Sequence, residues 1–276
     1  MTMQEIERTR EAWDRIARGY DEFVTPTNMW VGDEGLNRAD LGRGMRFLDV
    51  AAGSGALSLP AARLGAQVLA TDISSVMLER LEARARAEGL ELETHVMDGH
   101  ALELDDDSFD VSGSQFGVML LPDMPRGVGE LVRVTRPGGR VLMNVLGPPE
   151  RVEFFAFFVG AIQAVVPGFS PPTDPPPLPF QLRDPARLRD VLATAGLSDV
   201  QVETITEPLE FRSGTHMWDW LVNSNPVAGE ILAELKLTDE QATSVKRAPD
   251  DMVRERAGEN ETAVLTAPIN IGVGTK

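Results

Sequence analysis

Three acids and one glycine turn carry the first chemistry this sequence offers. Asp49 stands in Phe47-Leu48-Asp49-Val50-Ala51-Ala52-Gly53-Ser54-Gly55, a short apolar run followed by an acid, a glycine-rich turn and a helical pattern. Gly53 and Gly55 permit backbone angles barred to other residues and let a ligand approach the main chain closely. The helix that follows offers unpaired N–H groups. Alone, a Gly-x-Gly turn is a weak signal, shared by many tight strand–helix connections. A dinucleotide fingerprint wants a third glycine three residues after the second, and this chain has Ser58 there. Asp49, ahead of the turn, would repel a pyrophosphate and suits a ligand with an ammonium group or bridging waters. The turn therefore fits an amino-acid-bearing nucleoside better than a nicotinamide dinucleotide.

Asp72, in Ala70-Thr71-Asp72-Ile73, closes a second apolar run, where an acid can accept both hydroxyls of a ribose; a solvated loop aspartate is the plain alternative. Asp98, in Val96-Met97-Asp98-Gly99-His100, can accept from an exocyclic adenine amine or cap a helix. Ile73, Met77 and Leu102 could sandwich the ring. Ser114, Gln115 and Phe116 end a fourth apolar run, beside the strand-order reversal where ligands lodge in parallel sheets.

For proton transfer the histidines are His95, His100 and His216. His95 falls inside a strand pattern and His100 reads as a surface or supporting residue. His216, in Ser213-Gly214-Thr215-His216-Met217-Trp218-Asp219-Trp220, is the candidate base for a phenol or an activated carbon, set against a packing role. Trp218 and Trp220, two apart on a helix, diverge, so one faces a pocket and the other the core. Trp218, Phe116 and Met119 are taken as substrate-facing, and with Phe154, Phe157 and Phe158 they suggest an aromatic chamber; an ordinary apolar core is the rival reading. No His/Asp/Glu spacing predicts a metal.

The elements that must position these residues alternate. Strands are predicted at Arg46–Val50, Gln67–Thr71, Leu92–Met97, from Phe109, and at Gly139–Val145, with helices at Ala56–Leu64, Ser75–Glu88 and Met124–Thr135. Such alternation means right-handed crossovers and a parallel sheet covered on both faces. An opening helix is predicted over Ile6–Phe23, and Gly32 to Gly44 reads as a loop-rich connection. Beyond Gly147 come a phenylalanine-rich helical run, the proline-dense stretch Pro167–Pro179, a helix at Pro185–Ala195 capped by Asp184, a strand at Val200–Thr206, helical patterning over 214–259, and a last strand at Thr262–Val273 broken by Pro268. The expected division is an opening helix and cofactor-binding core (1–146), a cap insertion (147–180), a core continuation (181–211), a helical cap segment (212–259) and a final core strand (260–276).

The chain has 276 residues, 42% of them hydrophobic, no cysteine and a formal net charge of -17. The missing cysteines exclude disulfides and thiolate chemistry. The negative charge makes nucleic acid and anionic membranes poor partners. The first residues lack the apolar run of a signal peptide, and no stretch is long enough to span a bilayer, so a soluble cytoplasmic protein is expected. The oligomeric state is left open, with a homodimer allowed.

The set LDVAAGSG, ATDIS, MDGHAL, SFDV and VTRPGGRVLM, in this order, resembles the class I S-adenosylmethionine-dependent methyltransferases, and within them the small-molecule group similar to the ubiquinone/menaquinone C-methyltransferases. The resemblance spans about residues 10–146. It implies an α/β Rossmann-like fold with a seven-stranded, mostly parallel sheet whose last strand is antiparallel, helices on both faces, and here a mainly helical cap. It further implies S-adenosylmethionine as cofactor. Ala51, Gly53 and Gly55 would line its methionine part with Ser114 and Gln115, and Asp49 would lie near the amino group. Asp72 would bind the ribose, Ile73 and Met77 would pack on adenine, and Asp98 and Gly99 would meet its amine. Tyr20, the only tyrosine, ends a segment resembling the one that closes over the cofactor, near the sulfonium, and joins His216 as a catalytic candidate. The expected partner is a small, largely apolar methyl acceptor, methylated at O, N or C by in-line displacement. The alternatives are non-methylating chemistry around the bound sulfonium and a non-catalytic binding module.

Overall fold

The computed structural model describes residues 3–171 and 177–276. The centre of the proline-dense stretch, 172–176, lies outside the described residues.

A seven-stranded sheet runs β3-β2-β1-β4-β5-β7-β6. Its strands are β1 (Arg46–Val50), β2 (Gln67–Asp72), β3 (Glu93–Val96), β4 (Phe109–Gln115), β5 (Thr135–Leu146), β6 (Ser198–Phe211) and β7 (Ala263–Thr275). β1 to β5 are parallel, and β7 is antiparallel to both β5 and β6. The expected seven-stranded α/β architecture is borne out. β1 carries Leu48 and Val50 to one face and Phe47 to the other, the period-two alternation that two covered faces demand. Helices α5 (Met124–Val134) and α7 (Pro185–Thr194) cover the first face. Helices α2 (Thr25–Arg38), α3 (Ser58–Arg63) and α4 (Ser75–Glu88) cover the second. Leu48, Leu131 and Leu142 are fully buried, each contributing about 1.5–3 kcal/mol of apolar burial.

Local chemistry sets the helix ends. Ser74 caps α4 by accepting from the Met77 N–H at 3.1 Å, and Gly89 stops it in the left-handed region at φ 67°. Asp184 caps α7 as expected, accepting from the Ala186 N–H at 2.9 Å.

The opening helix α1 (Met3–Gly19) runs into a π-turn, Tyr20–Val24, and then into α2. The Thr25 N–H reaches back five residues to the Tyr20 carbonyl, and Pro26 follows with no N–H to offer to the residue four back. The predicted loop over 32–44 is corrected by α2, which continues to Arg38. Gly32 and Gly35 are interior helix residues whose missing side chains permit close packing: a Cβ on Gly32 would meet the Ala56 carbonyl at 2.6 Å, and one on Gly35 the Asn144 amide at 2.7 Å. Each glycine costs about 1 kcal/mol of helix propensity, which the packing offsets.

Helices α6 (Glu153–Gln163), α8 (Gly214–Ser224), α9 (Pro226–Glu234) and α10 (Asp239–Ala257) pack around Phe158, Trp218, Leu221 and Val245, together with Leu209, Phe211, Ala263 and Leu265 from the far ends of β6 and β7. Pro268 does not break β7. It pairs with Thr206 of β6 just past Leu146, the last β5 residue paired with β7, so no ladder bond to β5 is lost there. Beyond it, β6 and β7 continue as a two-stranded ribbon. Glu153 of α6 takes up the free edge, accepting from the Thr266 N–H at 2.6 Å and its hydroxyl at 2.9 Å while pairing with Arg256 at 2.9 Å.

Candidate active site

Two adjoining cavities open at the carboxyl edge of the sheet. The first is walled by Ala51 and Gly53 after β1, Asp72 at the end of β2 with Ile73 and Met77 after it, Asp98 and Gly99 after β3, and Gln115 at the end of β4 with Phe116 after it. These are the strands flanking the reversal of strand order, β1 next to β4, where parallel sheets bind ligands. Tyr20 and Trp13 of the opening segment complete the wall. Eight residues proposed from the sequence as cofactor contacts on the strand edges thus meet in one cavity: Ala51, Gly53, Asp72, Ile73, Met77, Asp98, Gly99 and Gln115.

Asp72 organises this cavity. Its Oδ2 accepts from the Gly53 N–H and its Oδ1 from the Ser74 N–H, both at 2.9 Å. Burial pushes its carboxyl up to about 6, and the backbone donors oppose that rise. Asp98 is less buried. Desolvation raises it, but the His100 N–H at 2.9 Å and ring Nδ1 at 2.6 Å outweigh that and leave it below the usual carboxylate range.

Asp49, Gly55 and Ser114 do not line the cavity; they support it. Asp49 is buried two residues before the turn, with Oδ2 accepting from the Ser58 hydroxyl at 2.6 Å and Oδ1 without a partner. Burial foremost pushes it up to about 7. Ser58, read as the residue that spoils a dinucleotide fingerprint, holds the acid. Gly55, at φ 100°, allows Leu81 to pack: a Cβ there would lie 2.3 Å from the leucine Cδ1. The Ser114 hydroxyl donates to the Val50 carbonyl at 2.8 Å and accepts from the Val118 N–H at 2.9 Å. Gln115 donates to the Asn28 carbonyl at 2.8 Å and accepts from Asn144 at 2.9 Å, tying α2 to the end of β4. Ala51 and Phe116 both sit at φ 56°, a left-handed conformation costly for residues with a side chain and frequent at functional sites.

The second cavity is an apolar chamber between the sheet edge and the helices. Phe154, Phe155, Phe158, Phe180 and Trp220 form its walls with Met119. Trp13, Tyr20, Phe116, Leu120, Asn225 and Val227 line both cavities and form the junction. Tyr20 is central: its Cε1 lies 3.4 Å from where a Cβ on Gly53 would stand, and its ring meets Trp13 edge-on at 6.0 Å. Burial first, then the charges of Asp72, Asp49 and Glu207, raises its phenol well above the ordinary value, so it remains a neutral hydroxyl.

Three sequence expectations change here. Trp220, not Trp218, faces the chamber, stacking edge-on with Phe154 at 4.9 Å and donating to the Thr27 hydroxyl at 3.1 Å. Trp218 points into the helical core against Phe158. His216 lines neither cavity. It packs beside Phe23 and Phe211, and burial, with the nearby Arg212 charge, lowers its pKa. His100, read as a surface or supporting residue, supports Asp98 but is not on the surface: it is buried and lines the first cavity, its Nε2 unpartnered. Sequence reasoning missed Glu207 entirely. The signal was available: in Ile205-Thr206-Glu207-Pro208-Leu209-Glu210-Phe211 the acid holds the inward parity of an alternating strand.

These residues fit S-adenosylmethionine. Asp72 and Asp98 present acceptors to a nucleoside at the strand edges, Asp49 stands buried behind the glycine turn, and the turn leaves no room for side chains. Among the described residues, no group of three or more His, Cys, Asp or Glu could hold a metal ion, and no helix is long and apolar enough to cross a membrane.

The methyltransferase-domain family matches residues 48–143. An uncharacterised protein of Mycobacterium tuberculosis is 50% identical over 103 residues, 37% of this chain and 38% of that protein. A demethylmenaquinone methyltransferase of Clavibacter sepedonicus is 36% identical over 143 residues, 50% of this chain and 57% of that enzyme. The chain thus matches less than two thirds of either relative's length. In three dimensions, a Haemonchus contortus phosphoethanolamine N-methyltransferase in complex with S-adenosylmethionine superposes over 89% of this chain and 52% of its own, with a TM-score of 0.53 at 19% identity. The glycine turn, the acid at the end of β2, the acid after β3 and the matched family all lie on the same strands, and the domain they form is similar to the class I S-adenosylmethionine-dependent methyltransferases.

Proposed function

We propose that the protein transfers a methyl group from S-adenosylmethionine to a small, largely apolar acceptor held in the aromatic chamber. The observation that carries this reading is the shared wall: a cavity fitted to a nucleoside and a chamber fitted to an apolar molecule meet at Tyr20 and Phe116. When bound, the cofactor supplies an electrophilic methyl group. The protein's part is to align the acceptor and exclude water, which alone gives large accelerations.

In this reading Asp72 takes the ribose hydroxyls, Asp98 the adenine amine, and Ile73 and Met77 the ring faces. Ala51, Gly53 and Gln115 border the methionine part, and Asp49, buried behind the turn, supports it. Tyr20 and Phe116 close the junction against solvent. Met119 and Trp220 position the acceptor within the proposed cap, residues 147–180 and 212–259.

Calorimetric titration with S-adenosylhomocysteine tests the proposal. The wild type binds, and Asp72→Ala weakens binding by about tenfold or more, the loss expected for a buried charged acceptor. Wild-type protein that ignores this ligand and binds NADH instead would overturn it.

A further inference from the structure

Glu207 lies on β6 opposite Ala267 of β7, at the first residue pair beyond Pro268 where the ribbon leaves the sheet. It is 3% exposed. Its Oε1 has no hydrogen-bond partner and no cation pairs with it among the described residues. It is part of the chamber wall, among Phe154, Phe155 and Trp220, and among the described residues the only other titratable side chain on that wall is Tyr20. Burying a carboxyl with neither partner nor countercharge is costly, and such groups concentrate where chemistry needs them.

We propose that Glu207 is the proton acceptor for methyl transfer and that the acceptor is an apolar, ring-bearing molecule methylated on a hydroxyl. The inference rests on the methyl-transfer reading and adds the substrate class. A neutral hydroxyl enters an apolar chamber without the desolvation cost of an ammonium ion, and beside Glu207 it finds the only carboxylate among the described wall residues. The step balances. The hydroxyl proton passes to a Glu207 oxygen, the oxygen–methyl bond forms, and the methyl–sulfur bond breaks with its electron pair going to sulfur. One carboxylate and one sulfonium become a neutral acid and a neutral thioether, so no net charge is left in the chamber. Burial alone pushes the Glu207 carboxyl up to about 8, so its ionised, proton-accepting form builds up as pH rises toward 8, where its proton affinity approaches that of phenolic hydroxyls. The methylated product cannot donate, so it loses the contact that held the substrate.

β-Naphthol and its methyl ether serve as substrate-like and product-like probes of one shape, with benzylammonium as a cationic control. The wild type is expected to bind naphthol about tenfold more tightly than the ether, the discrimination an unmatched buried polar group imposes. Glu207→Leu should bind both alike while binding S-adenosylhomocysteine as the wild type does. The glutamate carboxyl carbon resonance absent from Glu207→Gln should shift on adding naphthol and stay put on adding the ether. Equal binding of naphthol and ether by the wild type, a preference that survives in Glu207→Leu, no binding of either, or preferential binding of benzylammonium would overturn the proposal. Failure of the wild type to bind S-adenosylhomocysteine would sink the cofactor reading alone, because the naphthol comparison is made without it.

Discussion

The Gly53 N–H donates to Asp72 Oδ2 at 2.9 Å, so the acid at the end of β2 also fixes the glycine turn after β1. With Asp72 pushed up to about 6 and Asp49 to about 7 by burial, both acids gain protons at mildly acidic pH. Binding that uses the ionised form of Asp72, the one of the two that lines the cavity, weakens as pH falls through about 6, by up to tenfold per pH unit. Dissociation constants for S-adenosylhomocysteine across this window check the sign; affinity that is flat or rises on acidification contradicts it.

Gly117 marks where β1 and β4 crowd together. A Cβ there would lie 2.5 Å from the Ala51 Cβ and 2.9 Å from the Ala51 carbonyl, and backbone cannot yield as a side-chain tip can. Gly117→Ala should lose about 2–4 kcal/mol of stability, read from denaturant unfolding. Gly129→Ala, with nothing within 4 Å of its Cβ position, is the control and should be neutral or slightly stabilising.

Glu207 sets a stability trade-off with a definite sign. Its folded value near 8 lies above its unfolded 4.5, so the native state holds the extra proton between them. Stability falls as pH rises through that window and then levels off. Glu207→Gln removes the fall. It should be more stable than the wild type at alkaline pH, by a few kcal/mol on the order suggested for a desolvated carboxyl, with the difference vanishing at acidic pH. Melting curves at matched ionic strength decide this; a variant less stable than the wild type at alkaline pH would refute the assignment.

The opening helix is fastened to α4 by side chains. Asp21 pairs with Arg84, and Asp14 accepts from the Ser74 hydroxyl at 2.5 Å. Arg84→Ala should leave the sheet intact and loosen α1. Amide exchange over residues 8–24 should accelerate and S-adenosylhomocysteine affinity drop severalfold. Unchanged exchange in that segment would show that packing alone holds the helix.

The parallel half of the fold was readable because each strand there is an apolar run ended by turn chemistry, and the acids and glycines at those ends need no tertiary information to be recognised. What escaped depends on parity and packing. Gly32 and Gly35 look like loop residues until Ala56 and Asn144 are seen against them. Trp218 and Trp220 were known to diverge, but only the position of Phe154 and Phe158 decides which one meets the chamber. His216 drew attention as a rare base, although its neighbours are aromatic rings. Glu207 lies just past the strand that the sequence predicts at Val200–Thr206, and only the continuation of β6 to Phe211 gives it an inward parity.

The ribbon formed by β6 and β7 beyond Pro268 has a mechanical consequence. The same two strands run unbroken from the sheet into the helical layer, with Leu209 and Leu265 buried in one and Ile269 and Ile271 in the other. Swinging that layer away as a hinged door would mean bending both strands where Glu207 and Ala267 pair. By contrast α1, which no strand continues, is held by helix packing and by the side-chain bonds of Asp14 and Asp21. In that arrangement the wall bearing the carboxylate is braced by two paired strands, whereas the opening helix rests on the domain by side chains alone.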